Sequence, residues 1–205
     1  MLLPSSRYEF IKGEVASIYK QQNICKYPVC ATMLAEQMGF TIVPYSSLSP
    51  DAYSEAVKAS PDGFYAERNW KEYIFVNDSK AIGKERKRMT VFHEIGHPVL
   101  GHDEYVPDDD IKESEARFFG KYLAAPPTAI HLFTLGSQNG IHTKFDISDN
   151  ASRIASDYYV SWRNKVIRSG LAEYDVTILY QLGIRTDIQL ERFIKSVKEG
   201  KAYEQ

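Results

Sequence analysis

The sequence predicts an α+β protein with a small antiparallel sheet, on the basis of three local patterns. Apolar residues recur at helical intervals over residues 7–21, which predicts an amphipathic helix. The β-branched and aromatic run at 40–45 predicts a short strand. Two further runs of this kind, at 64–67 and 70–76, are separated by a two-residue break and predict a β-hairpin.

The composition is that of an ordinary globular protein of 205 residues, 43% of them hydrophobic. The net charge of -2 and the isoelectric point near 6.2 provide no overall basic field, which argues against nucleic acid as the main partner. The first residues do not resemble a secretion signal, and no stretch approaches the roughly 18 apolar residues of a membrane-spanning helix. We therefore expect a cytoplasmic protein that binds neither membranes nor, directly, nucleic acid.

Proline, glycine and capping residues predict where the other helices begin and end. Pro28 is suited to begin a second helix, which Gly39 would end. A helix over 111–125 has acids in its first turn, as the helix dipole favours, and ends before a double proline. Two more helices are predicted in the C-terminal third, at 148–169 and within 175–199.

Two histidines and a glutamate in one predicted helix form the strongest functional signal. His93 and His97 are four residues apart, so on a helix they lie one turn apart and can point at one ion. Neutral imidazoles suit zinc, and Glu94 is placed to take a proton from a bound water as a general base for hydrolysis. The flanking residues are strongly apolar, so these side chains are expected to be partly buried, where ionisable groups need partners or a metal. The alternative is a structural pair of histidines.

A catalytic zinc usually has three protein ligands, and we expect the third from an acid downstream of the motif. The candidates are Asp103, Glu104, Asp108, Asp109, Asp110, Glu113 and Glu115. On the helix at 111–125, Glu113 shares a face with the small residues Ala116 and Gly120, whereas Glu115 lies on the opposite side. Packing of the small face on the histidine helix would bring Glu113 to the metal. The alternative is that Glu113 is only a favourable first-turn acid.

The order of these motifs resembles the ImmA/IrrE family of metallo-endopeptidases over roughly residues 8–130. The resemblance lies in H-E-I-G-H-x-x-L-G-H, an acidic loop, and then E-x-E-A-x-x-F-x-x-x-L-x-x-P. It implies a zincin-like α+β domain with one Zn²⁺ bound by His93, His97 and Glu113, and with Glu94 activating water. Manganese and iron accept the same ligands. Members of this family cleave helix-turn-helix repressors in mobile elements and stress responses, which implies a repressor as the substrate.

Two positions depart from the pattern of that family. Pro98 follows the second histidine, where relatives usually carry an apolar residue, and Arg117 stands where they often have asparagine. Proline lacks an amide donor and crowds the carbonyl group of Glu94, so we expect the helix to kink or end just past His97.

Five residues outside the main motif carry secondary predictions. His102, His131 and His142 are candidates for stabilising the oxyanion of a tetrahedral intermediate. For His102 the alternative is a capping role at the end of the helix. Cys25 and Cys30 do not have the C-x-x-C spacing of metal or redox sites, so we expect reduced thiols in the core.

These patterns together predict a metallopeptidase domain over residues 1–135 and a helical region over 136–205 that packs on it. We expect a zinc-dependent endopeptidase whose partner and substrate is a helix-turn-helix repressor. One alternative is a metal-stabilised binding module that inactivates a repressor by docking without cleavage. Another is a DNA-binding regulator built on the C-terminal helices.

Overall fold

The computed structural model describes residues 3–102 and 109–204 of the chain. The chain forms two compact units, of which the first contains residues 1–11 and 30–120 and the second contains residues 12–29 and 121–205. Each unit thus contains two separate segments of the chain, whereas the domains predicted above are two consecutive segments. The predicted domain boundary at residues 135 and 136 stays a prediction.

Helices predominate in both units, and the predicted α+β class is confirmed. The helices are α1 (Ser5–Gln21), α2 (Ala31–Gln37), α3 (Pro50–Ala59), α4 (Lys84–Val99), α5 (Asp109–Ala124), α6 (Pro127–Thr134), α7 (Gln138–Phe145), α8 (Asp149–Ser169), α9 (Glu173–Gln181) and α10 (Asp187–Glu199). The strands are β1 (Thr41–Pro44), β2 (Gly63–Arg68) and β3 (Lys71–Val76). Within the described residues, none of the helices combines the length and the apolar character needed to cross a membrane.

The sheet has the order β1-β3-β2, with β3 in the centre. β2 and β3 form the predicted hairpin, and its turn places Asn69 and Trp70 in the left-handed region that suits tight hairpins. β1 pairs with β3 in parallel, so the sheet is mixed, which corrects the expectation of purely antiparallel pairing. The physical reason is the path of the chain: after α3 it enters β2 at the far edge of the sheet, opposite in direction to β1, and the hairpin then reverses it so that β3 runs beside β1 in the same direction.

Helix periodicity predicted the long helices better than the short ones. The predicted long helices are present as α1, α4, α5, α8 and α10. α2 begins at Ala31 rather than at Pro28, because Cys30 is still extended and its carbonyl group accepts the first helical hydrogen bond. The short helices α3, α6, α7 and α9 are absent from the prediction, because they contain too few turns for a clear apolar repeat. Local capping still marks α3, where the Ser49 hydroxyl accepts a hydrogen bond from the amide of Ala52.

α4 carries the histidine motif and lies in the interior of the first unit. It begins at Lys84 and ends at Val99, just past His97, as the position of Pro98 predicts. It contacts both hairpin strands and α2, and Phe92 on this helix is fully buried. The sheet and α4 therefore form the support on which the candidate site is built.

Gly63, at the start of β2, allows the sheet to approach α4 closely. A Cβ atom at this position would overlap the carbonyl oxygen of Phe75 and lie 2.7 Å from Cγ2 of Thr90. We expect Gly63→Ala to lower the free energy of unfolding by about 1–3 kcal/mol, measured by urea denaturation. The matched control is Gly13→Ala in α1, where nothing lies within 4 Å of the Cβ position. Since alanine favours a helix over glycine by about 1 kcal/mol, the control is expected to be stabilising. Equal stability of the Gly63→Ala protein and the wild type would contradict this account.

Candidate metal centre

The rings of His93 and His97 and the carboxylate of Glu113 converge on one point. The Nε2 atoms of the two histidines lie 3.2 Å apart. Oε2 of Glu113 lies 3.3 Å from Nε2 of His93, and Oε1 lies 3.6 Å from Nε2 of His97. The side chains of His93 and His97 are 21% and 17% exposed, whereas that of Glu113 is 50% exposed. Within the described residues, these three side chains form a group that can hold a metal ion.

The spacing of these donor atoms suits a tetrahedral zinc ion. Zinc binds imidazole nitrogen and carboxylate oxygen at about 2.0–2.1 Å, so tetrahedral ligands stand about 3.3 Å from one another. The separation of the two Nε2 atoms, 3.2 Å, and those of the Glu113 oxygens, Oε2 at 3.3 Å from His93 and Oε1 at 3.6 Å from His97, lie close to that value. Two imidazoles and one carboxylate also leave the fourth position that a catalytic site needs for water. The residues present therefore fit a zinc ion, and the same donor types accept manganese or iron.

Small residues on both α4 and α5 allow the two helices to approach closely, which brings Glu113 to the histidines. A Cβ atom at Gly96 would lie 3.0 Å from Cδ1 of Phe119 and 3.2 Å from Cα of Ala116. A Cβ atom at Gly120 would lie 3.3 Å from the amide nitrogen of His93. The helix face predicted from the sequence is therefore the face that packs on the histidine helix.

Glu94 is buried next to the edge of the hairpin. Its Oε2 atom accepts a hydrogen bond of 2.9 Å from the backbone amide of Tyr65 in β2. Burial raises the pKa of Glu94 to about 8, against the lowering effect of the Tyr65 amide, and the nearby Glu113 carboxylate adds to the increase. A carboxyl group with a pKa near neutrality is suited to take up and release a proton.

The two histidines are held as neutral rings, which is the form that binds a metal. Burial lowers the pKa of His97 to about 3, with a further lowering by the charges of His93 and His102. Burial also lowers the pKa of His93, where the nearby Glu113 carboxylate opposes the effect and the exposed Arg117 adds to it. Both rings therefore keep a lone pair for a ligand bond at neutral pH.

A hydrogen-bonded chain behind His97 was not predicted as part of the site. Nδ1 of His97 lies 2.9 Å from Nδ1 of His102, and Nε2 of His102 lies 3.1 Å from Oε2 of Glu115. Arg7 binds both carboxylate oxygens of Glu115 through two hydrogen bonds of 2.6 Å. Glu115 thus points away from the candidate ligands, as predicted, but it still connects to one of them through His102. The H-x-x-x-x-H spacing of the second and third histidines was the available signal for this contact.

The other predicted candidates lie in different places. His131 is fully buried in the second unit, where its ring nitrogens lie 2.8 Å from the Tyr159 hydroxyl and 2.9 Å from the Ser196 hydroxyl. His142 lies in helix α7 rather than in a glycine-rich loop, and its Nδ1 atom donates to the carbonyl oxygen of Ile147 at 2.6 Å. Both ring nitrogens of His131 and Nδ1 of His142 thus have partners within the protein.

The remaining acids and the cysteines do not join the group of candidate ligands. Asp109 and Asp110 are exposed in the first turn of α5. The acids at 103, 104 and 108 lie outside the described residues. Cys25 and Cys30 are free thiols, as predicted, but both are exposed, which corrects their assignment to the core. The adjacent apolar residues Ile24, Val29 and Ala31 are buried instead, so the two thiols lie on the outer side of these segments.

Burial of His131 makes the stability of the protein depend on pH. Burial lowers the pKa of His131 from 6.5 to about 4, and the charge of Arg163 contributes. The unfolded chain therefore binds the proton first, so the stabilisation is complete above pH 6.5 and is lost as the pH falls towards 4. Between about pH 7 and pH 5, we expect His131 to account for a loss of about 2 kcal/mol in the free energy of unfolding. Urea denaturation of His131→Gln, whose amide can still bond Tyr159 and Ser196, should show a smaller loss. Identical pH dependence in both proteins would contradict the assignment.

Fold and site together define an α+β protein with a candidate metal centre of the H-E-x-x-H type. Residues 50–163 match the model of the family described as the IrrE N-terminal-like domain, peptidase M78. The match covers more than half of the chain, which therefore belongs to this family, and the resemblance predicted from the motifs is confirmed. The candidate ligands and Glu94 lie inside the matched segment, whereas Arg7 lies outside it. Membership of a peptidase family supports a metallopeptidase-type role. No curated protein matches the chain.

Proposed function

We propose that the chain is a zinc-dependent endopeptidase that hydrolyses a peptide bond in a helix-turn-helix repressor in the cytoplasm. The observation that carries the metal site is the convergence of its donors: the two histidine Nε2 atoms lie 3.2 Å apart, and each has a Glu113 carboxylate oxygen at 3.3 or 3.6 Å. The peptidase reaction is supported by the family to which the chain belongs. The repressor substrate is supported by the resemblance to the ImmA/IrrE peptidases.

Each residue of the site has a distinct part in this reaction. His93, His97 and Glu113 would hold the ion, which supplies a Lewis acid that lowers the pKa of a water molecule and polarises the peptide carbonyl. Glu94 takes the proton from the attacking water and then gives it to the leaving amine. The Tyr65 amide holds Oε2 of Glu94 and so orients the carboxylate, leaving Oε1 to carry the proton.

A cleavage assay with a defined protein substrate tests this function. The purified chain is incubated, with added zinc, with each helix-turn-helix repressor found to be encoded near its gene, and the products are separated on a gel. We expect two repressor fragments with zinc, no fragments with a chelator, and recovery of cleavage when zinc is restored. An intact repressor that co-elutes with the chain would instead support the non-cleaving binding module. An intact repressor without co-elution would contradict the proposed substrate.

A further inference from the structure

The structure contains a second set of polar residues that is hydrogen-bonded to one of the candidate ligands, His97. We propose that Glu115 and His102, anchored by Arg7, fix the ring tautomer of His97 and thereby set the affinity of the metal site. These residues are positioning residues, since none of them is among the candidate ligands. The inference rests on the metal site of the proposed function.

The series of hydrogen bonds that reaches His97 starts at the carboxylate of Glu115, which when ionised can only accept hydrogen bonds. The Arg7 guanidinium donates Nε–H to Oε1 and Nη2–H to Oε2 of Glu115, each at 2.6 Å. This bidentate geometry is the strongest form of an ion pair between these residue types. Both oxygens accept from a guanidinium that keeps its charge, so Glu115 is ionised and its buried charge is already balanced by Arg7.

The carboxylate determines which nitrogen of His102 carries the proton. Nε2 of His102 lies 3.1 Å from Oε2 of Glu115, and because an ionised carboxylate has no hydrogen to give, Nε2 must be the donor. His102 is only 3% exposed, and because Arg7 already balances the charge of Glu115, a protonated ring would add an unpaired charge to the interior. The neutral ring leaves the Arg7–Glu115–His102 cluster with no net charge. Nδ1 of His102 then carries a lone pair and can only accept.

The same reasoning determines which ring nitrogen of the candidate ligand His97 carries the proton. Nδ1 of His97 lies 2.9 Å from the accepting Nδ1 of His102, so His97 must donate its proton there. The lone pair of a neutral His97 is consequently on Nε2, which is the atom 3.2 Å from Nε2 of His93. The second hydrogen bond of a histidine ligand commonly selects its tautomer and orients its ring in this way. Without it, a fraction of the metal-free protein would hold a proton on the atom that must bind the metal.

The tautomer can be measured directly in the metal-free protein. With ¹⁵N-labelled histidine, NMR distinguishes a protonated ring nitrogen from one that carries a lone pair. We expect the wild type to show His97 protonated on Nδ1 and His102 protonated on Nε2. A proton on Nε2 of His97 in the wild type would overturn the inference, whatever the variants do.

Two substitutions at His102 separate hydrogen bonding from packing. His102→Gln retains an acceptor for His97 and a donor for Glu115, whereas His102→Phe retains a ring but neither polar group. We expect His102→Phe to weaken zinc binding about 10- to 100-fold, measured by competition with a chelating dye, and to shift protons of His97 to Nε2. His102→Gln should recover most of the affinity. A role in packing alone would give the opposite order, with phenylalanine the better substitute.

The control and the remaining outcomes distinguish this inference from the proposed function. His142→Phe makes the same change at a histidine bonded to the Ile147 carbonyl group, and it should leave zinc affinity and the His97 tautomer unchanged. Equal zinc affinity in wild type, His102→Gln and His102→Phe would overturn the inference while leaving the metal site intact. A wild type that binds no zinc would overturn the proposed function. The NMR measurement would still show whether His102 and Glu115 determine the tautomer of His97.

Discussion

Replacing Glu94 with glutamine is expected to abolish peptide hydrolysis while the metal remains bound. The amide has the shape of the carboxyl group and can still accept the hydrogen bond from the Tyr65 amide, so the local structure is preserved. It cannot take a proton from water, and loss of a general base typically lowers the turnover rate by about 10²- to 10⁴-fold. The measurement is the rate of repressor cleavage, together with the zinc content of the purified variant.

Glu85→Gln is the control for this substitution, because Glu85 lies in the first turn of the same helix, α4, and is not part of the candidate site. It should cleave the repressor at the wild-type rate. Cleavage by Glu94→Gln at a rate close to that of this control would exclude Glu94 as the base. Loss of zinc together with activity would mean that Glu94 supports the site rather than the proton transfer.

Replacing Glu113 with alanine is expected to weaken zinc binding by more than about 100-fold, since substitutions that affect only the partners of ligands already cost 10- to 100-fold. The carboxylate supplies one of three donors, with its oxygens 3.3 and 3.6 Å from the two histidine nitrogens. Its side chain is half exposed, so its removal should change the stability of the metal-free protein only slightly. Zinc affinity is measured by competition with a chelating dye, and stability by urea denaturation without metal.

Asp110→Ala tests the alternative that Glu113 is only a favourable acid near the start of α5. Asp110 lies in the first turn of the same helix, where an acid contributes about 0.3–1 kcal/mol through the helix dipole. If Glu113 had only this role, both variants would lose a similar amount of stability and neither would lose zinc. A difference confined to zinc affinity identifies Glu113 as a ligand.

Local spacing explains the parts of the site that could be predicted from sequence. His93 and His97 are one helical turn apart wherever the helix lies, and Glu94 is adjacent to the first ligand. The choice of Glu113 over Glu115 followed from the rotation of about 100° per residue, which separates positions two apart by about 200°. The structure places Glu113 beside the two histidines and Glu115 away from them. These relations depend only on the geometry of single helices.

Contacts between distant segments could not be predicted in the same way. The Tyr65 amide that orients Glu94 belongs to the backbone, and every residue except proline carries such a donor, so no residue type marks the position. Arg7 reaches Glu115 across 108 residues of sequence. The parallel pairing of β1 with β3 likewise depends on the path of the chain through α3, which leaves β3 and not β2 next to β1.

The sequence alone was therefore sufficient for the candidate ligands, the candidate base and the helices that carry them, because each follows from periodicity within one element. Tertiary structure was needed to show that two such helices approach closely enough to bring the Glu113 carboxylate within 3.3–3.6 Å of the two histidine nitrogens. It was also needed to reveal the chain from Arg7 to His97, since the partner of a buried polar group is chosen by packing between elements.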